Sequence, residues 1–164
     1  MKALEYGCGT GLLSFALQSE LGQITLADTS QGMLDVLAEK IKTAGVENMV
    51  PVRLDLSVDP LPVEHYHFIY SLMTLHHIPD TEDILRRFHA VLEPGGYLCI
   101  ADLEQEDGSY HDVPMMDIHH GFKQEKLRLQ VEAAGFHKTN FFHVYRIPKG
   151  QREYPLFLMT AERT

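Results

Sequence analysis

Three glycines at alternate positions, Gly7, Gly9 and Gly11, lie in "LEYGCGTGLLSFAL" close to the start of the chain. Glycine tolerates positive φ and lets a backbone come close to another surface, so this run suits a bend held tightly against a ligand. Two carboxylates stand at matching places further on. Asp28 follows the apolar run 24–27, and Asp55, with Leu56 beside it, follows the run 49–54. A carboxylate can accept both hydroxyls of a ribose, and one with an apolar neighbour can hold the edge and face of a base. Each residue also has a plainer reading: a tight turn for the glycines, a helix cap for Asp28, an ordinary turn residue for Asp55. Their occurrence after three successive strands points to a nucleoside-containing ligand.

Histidines form the second set. His76 and His77 follow the apolar run 66–72, where His77 is a candidate base or acceptor-binding group and His76 more simply orders the turn before Pro79. His111, Asp112, Asp117, His119 and His120 crowd a polar stretch over residues 103–120. Their spacing matches no established ligand pattern, so no metal is assigned. His76, His119 and His120 stand as substrate-lining candidates, and a stretch of that length reads as a lid or binding element rather than a connector. His65 and His137 have no neighbours that raise them above surface or strand positions.

The elements that must position these groups alternate. Short apolar runs at 3–6, 24–27, 49–54, 66–72 and 97–102 read as strands. Between them lie helices: one from Thr10, a plausible N-cap, to about residue 21, one carrying Leu34, Leu37, Ala38 and Ile41 on a single face, and one burying Ile84, Leu85, Phe88, Val91 and Leu92. Gly45 and "EPGG" at 93–96 are stop signals. This alternation predicts a parallel sheet covered on both faces. A further helix over 123–134, closed by Gly135, precedes two aromatic runs, 136–147 and 154–161, separated by "PKGQRE" as in a hairpin. In open α/β sheets ligands bind beyond the carboxyl ends of the strands, where the glycines, both aspartates and the histidine pair all fall.

The glycine spacing narrows the ligand. A dinucleotide fingerprint is G-x-G-x-x-G, whereas this loop is G-x-G-x-G; a phosphate-binding Walker loop needs a Gly-Lys-Ser/Thr that is absent. No Arg or Lys lies in the loop to neutralise a pyrophosphate, which favours a nucleoside without phosphates. The chain of 164 residues carries a formal net charge of -9, which repels phosphate backbones and argues against nucleic acid as a partner. No apolar run approaches the roughly 20 residues of a membrane span. Two cysteines give no disulfide framework, which suits a reducing, cytoplasmic setting.

The segments "ALEYGCGTG", "LADTSQGML", "VRLDLS", "FIYSLMTLHHIPD", "LEPGGYLCIADL", "EAAGF" and "YPLFLMTAER", taken in order, resemble the class I S-adenosylmethionine-dependent methyltransferases, and most of all the broad group acting on small metabolites. The resemblance implies one domain over 1–164 with a Rossmann-like, doubly wound sheet of seven strands in the order 3-2-1-4-5-7-6, the last antiparallel, in an α/β/α sandwich. It implies S-adenosyl-L-methionine as cofactor and S-adenosyl-L-homocysteine as product. By the same resemblance Glu5 supports the methionine end, and Gly7, Cys8, Gly9 and Gly11 form the binding loop. Asp28 takes the ribose, Thr29 and Met33 lie beside the adenine, Asp55 and Leu56 hold its edge and face, and Ser71 and Leu72 run along the cofactor. Relatives usually carry helices before the first strand, which here starts near Lys2. The pocket is then open on one side, closed by the 103–120 stretch, or completed by a second copy of the chain as a homodimer. Methyl transfer to a small-molecule acceptor is the expected activity; a non-catalytic cofactor-binding module of the same fold is the alternative, and a nicotinamide oxidoreductase is disfavoured by the glycine spacing.

Overall fold

The computed structural model describes residues 1–115 and 118–164. Five strands run parallel: β1 (Lys2–Tyr6), β2 (Gln23–Asp28), β3 (Met49–Arg53), β4 (Tyr66–Leu72) and β5 (Leu92–Leu103). The chain then forms a long hairpin of β6 (Phe136–Lys149) and β7 (Arg152–Arg163), with β7 inserted antiparallel beside β5. The seven strands lie in the order β3-β2-β1-β4-β5-β7-β6, as the resemblance implies. Among the described residues, four α-helices flank the sheet: α1 (Leu12–Leu17), α2 (Gln31–Ala44), α3 (Thr81–Val91) and α4 (Gln124–Ala133). None of the helices described is long and apolar enough to cross a membrane.

The two faces of the sheet bury separate clusters because successive strand residues point to opposite sides. Ala3, Ile24, Leu26 and Tyr70 pack with Leu34 and Leu37 of α2. Leu4, Tyr6, Ile69, Leu98 and Ile100 pack with Ile84, Leu85, Phe88 and Val91 of α3 and Leu127 and Val131 of α4. The edge of Tyr6 meets Phe88 with ring centroids 5.4 Å apart, an arrangement aromatic pairs prefer.

Several boundaries differ from the sequence reading, each for a physical reason. Gly11, not Thr10, caps α1: its φ of 84° is left-handed, so the helix cannot begin before Leu12. The same helix ends at Leu17 instead of near residue 21. On α2, Leu34 and Leu37 are buried as expected, but Ala38 is exposed and Ile41 only half-buried. β5 starts at Leu92 and passes through "EPGG", its register slipping between Tyr66 and Phe68 before regular pairing starts at Tyr97. The hairpin strands extend past their apolar runs to meet at a tight turn around Gly150, whose φ is 63°.

Candidate functional site

Four strands end side by side at one edge of the sheet, and the segments that leave them enclose a cleft of about 670 Å³. That is within the roughly 300–1,000 Å³ usual for small-molecule sites. From the loop after β1 come Gly7 and Gly9; from the end of β2 and the turn after it come Asp28, Thr29 and Ser30, and from the first turn of α2 comes Met33. Leu54, Asp55 and Ser57 follow β3, and the segment from Leu72 to Thr74 with His77, Ile78 and Pro79 follows β4.

The glycine loop is held by its own amides. Gly7 and Cys8 both donate to the carbonyl of Ala27, at 2.8 and 3.0 Å, and Gly11 donates to the carbonyl of Cys8 at 2.9 Å. Gly9 donates to Oδ2 of Asp28 at 2.8 Å, while the Ser30 amide donates to Oδ1 of the same carboxylate at 2.9 Å. Asp28 therefore ties the loop to the start of α2. Gly7 has φ of 75°, and a side chain there would collide with Thr74, whose hydroxyl donates to the Gly7 carbonyl at 3.3 Å. An anion-binding loop offers free amides to phosphate. Here those four amides are engaged and a carboxylate stands beside them, a combination hostile to a pyrophosphate.

Asp55 closes an Asx turn, accepting from the Ser57 amide at 2.9 Å and from the Ser57 hydroxyl. The Leu56 amide donates to the Tyr6 hydroxyl at 3.0 Å, so β1 positions the turn after β3. Burial and the nearby Asp55 push the Tyr6 phenol up to about 12, which keeps it neutral.

The sequence-predicted residues divide by position. Gly7, Gly9, Asp28, Thr29, Met33, Asp55 and Leu72 share the cleft wall, and His77 joins them. Glu5, Cys8, Leu56 and Ser71 are buried behind it, and Gly11 packs against Leu37. Glu5 accepts from Ser14 beneath α1, and Ser14 lies 2.6 Å from the Tyr70 hydroxyl. Burial raises the Glu5 carboxyl to about 7, with Asp28 adding to the shift. His119 and His120 line a different hollow, of about 390 Å³, between the 104–122 segment and α4. The His119 Nε2 sits 3.0 Å from the carbonyl of Ile78, and its amide donates to the His76 carbonyl at 2.7 Å. Asp117 lies outside the described residues.

His76 occupies a single 3₁₀ turn, Leu75–His77, and is 1% exposed. Both oxygens of the buried Asp102, near the end of β5, serve it: Oδ2 accepts its amide at 3.0 Å and Oδ1 its Nδ1 at 2.7 Å. The rings of His77 and His111 lie over it, with centroids at 4.1 and 5.2 Å. Burial and the adjoining imidazoles hold His77 and His111 below the usual imidazole value.

Sequence reasoning missed Tyr6, Met73 and Thr74 on the cleft wall. Met73 has φ of 55°, a conformation that its residue type gives no hint of. Thr74 is found only through its approach to Gly7.

Residues 3–96 match the family model of a methyltransferase domain. Over 117 residues, 69% of this chain, the sequence is 34% identical to the ubiquinone/menaquinone biosynthesis C-methyltransferase UbiE of Shewanella sediminis, of which it covers 45%. The chain spans less than half the length of that relative and of an uncharacterized methyltransferase of Schizosaccharomyces pombe, 45% and 42%. The fold matches a SAM-dependent methyltransferase from Aquifex aeolicus at a TM-score of 0.75 and 22% identity, covering 100% of this chain and 82% of that one. It also matches the [4+2]-cyclase SpnF at a TM-score of 0.80 and 17% identity, covering 99% and 74%.

Proposed function

The chain belongs to the methyltransferase-domain family, and on that premise we propose that it binds S-adenosylmethionine in the cleft at the strand ends and transfers the methyl group to a small-molecule acceptor. The observation that carries this reading is the Asp28 carboxylate, on the cleft wall and bonded to a glycine loop in which the amides of Gly7, Cys8, Gly9 and Gly11 are engaged. Such a wall suits an uncharged sugar and a cationic ligand, and it repels a phosphate.

In this reading Asp28 uses its remaining lone pairs on the ribose hydroxyls. Asp55 accepts the adenine amino group, with Met33 and Leu54 against the ring and Thr29 beside it. Gly7 and Gly9 let the backbone lie close to the methionine end, and Leu72 and Thr74 bound the other side. Glu5, Cys8, Gly11, Leu56 and Ser71 act from beneath, by shaping the loop and strand ends rather than by touching the ligand. S-adenosylmethionine supplies a methyl carbon on a positive sulfonium, with a thioether already a good leaving group. The protein's task is alignment, worth about 7–11 kcal/mol in favourable cases, and exclusion of water. His77, on the same wall, is placed to take a proton where the acceptor must lose one.

Likeness of fold does not settle chemistry, as the cyclase neighbour illustrates. The acceptor is proposed from the curated relatives alone: several carry quinone-biosynthesis names, which makes a hydroxyl-bearing aromatic ring the first acceptor class to assay. Cofactor binding is tested by calorimetry with S-adenosylhomocysteine. The wild type should bind. Asp28→Ala should lose about tenfold to a hundredfold in affinity, the worth of roughly 1.5–3 kcal/mol for a hydrogen bond to a charged group. NADH should give no heat. Equal affinity of both proteins for S-adenosylhomocysteine would overturn the assignment of Asp28.

A further inference from the structure

One polar atom near the cleft has no partner among the described residues. Nε2 of His76 is buried and makes no hydrogen bond to any of them. An unmatched buried polar group is destabilising, so its survival calls for an explanation. Asp102 explains the ring's orientation and sharpens the question. Its carboxylate accepts from the His76 amide, from Nδ1 and from the Leu103 amide. The Nδ1 proton is thereby fixed, leaving the Nε2 lone pair exposed to whatever lies beside it.

Beside the His76 ring lie two more imidazoles. One ligand atom each of His76, His77 and His111 lie within 4.8 Å of one another. The three come from different places: two from the turn after β4, one from the 104–122 segment. That segment is held down by the hairpin, where Arg152 pairs with Asp107 at 2.9 Å and Tyr110 sets its edge on Tyr154 at 5.2 Å between centroids.

From this arrangement we propose that His76, His77 and His111 form a binding site for a divalent transition-metal ion of the zinc type, with Asp102 orienting His76 from behind. Carboxylate-to-histidine support of this kind is the usual outer shell of a zinc site, and three imidazoles leave one position open. Zinc holds imidazole nitrogens at about 2.0–2.1 Å, which at tetrahedral angles sets them roughly 3.4 Å apart. The ion would therefore draw the His77 and His111 side chains inward.

His77 also lines the cleft, so the ion would lie beside the proposed cofactor site. There the ion would bind an acceptor hydroxyl and lower its pKa, as zinc does for water. The hydroxyl proton leaves to solvent; the acceptor oxygen then bonds to the methyl carbon as the carbon–sulfur bond breaks, its electron pair staying on sulfur. This role rests on the methyl-transfer reading, but ion binding does not, so the two fail separately.

The test uses the full chain, freed of metal by chelator and dialysis, titrated with Co²⁺ by visible absorption and with Zn²⁺ against a chromogenic chelator. One equivalent should bind with the visible bands of tetrahedral cobalt. His77→Ala and His111→Ala should each weaken binding at least about tenfold, the lower bound for loss of even an outer-shell partner. His65→Ala, remote from the cluster, should bind as the wild type does. Calorimetry with S-adenosylhomocysteine on His111→Ala shows that the cofactor cleft persists when the ion site is gone. Absence of stoichiometric binding by the wild type, or unchanged binding in both cluster variants, would overturn the proposal.

Discussion

Glu5 is 3% exposed, and burial lifts its carboxyl from 4.5 to about 7. The fold thus favours the protonated form. A raised value means that Glu5's contribution is fully present below about pH 4.5 and is lost as pH rises through about 7. The difference is worth about 3 kcal/mol at 1.36 kcal/mol per pH unit. Glu5→Gln keeps the size and the bond to Ser14 while removing the charge. It should be nearly as stable as the wild type at pH 4.5 and about 3 kcal/mol more stable at pH 8, read by urea unfolding at the two pH values. An equal gap at both would show that Glu5 does not titrate in this range. The residue also shows how far sequence reached at this scale. Gly7, Gly9, Asp28 and Asp55 were legible because each stands at or just past the end of a strand, and strand ends face the cleft. Glu5 and Ser71 sit within strands, where alternation turns every second side chain into a core, and no sequence pattern said which.

At the scale of elements, helices with a clear apolar face were legible and loop-bound ends were not. α3 buries Ile84, Leu85, Phe88 and Val91 as their spacing requires. α1 was misplaced because its start is decided by the left-handed backbone of Gly11, and propensity carries no information about that. The loop before it makes a sharper claim. Gly7 needs both its positive φ and its missing side chain, since a Cβ would strike Thr74. Gly7→Ala should cost about 1–2 kcal/mol for the left-handed conformation alone, and more for the collision. Thr74→Ala should recover part of the second cost and none of the first. A double-mutant cycle by chemical denaturation measures the coupling, and additivity of the two changes would show that the loop shifts to avoid contact. The histidine cluster was illegible for a related reason. His76, Asp102 and His111 lie on three separate elements, and only the packing of the hairpin against the 104–122 segment brings the last of them over the first.

On the scale of the whole molecule, the cleft joins parts that the core does not. The sheet's two faces bury separate clusters, one under α2 and one under α3 and α4. The cleft draws its walls from four segments, after β1, β2, β3 and β4, that leave the sheet between these clusters. Each can open locally, since loops occupy the low end of the range of opening free energies. A nucleoside bridging all four would make their openings cooperative, so ligand protection should appear together in 7–11, 28–33, 54–57 and 72–79. The β6–β7 hairpin, remote from those contacts, should exchange as before. Hydrogen exchange with and without S-adenosylhomocysteine reads this directly. At a ligand concentration 100 times Kd the native state gains about 2.7 kcal/mol, which for a chain of this size raises Tm by roughly 5–11 °C. A comparable Tm rise with protection spread evenly over the hairpin would place the ligand elsewhere. Protection confined to 7–11 and 28–33 would mean that the aspartate after β3 takes no part, and that the cleft binds only half of what its shape allows.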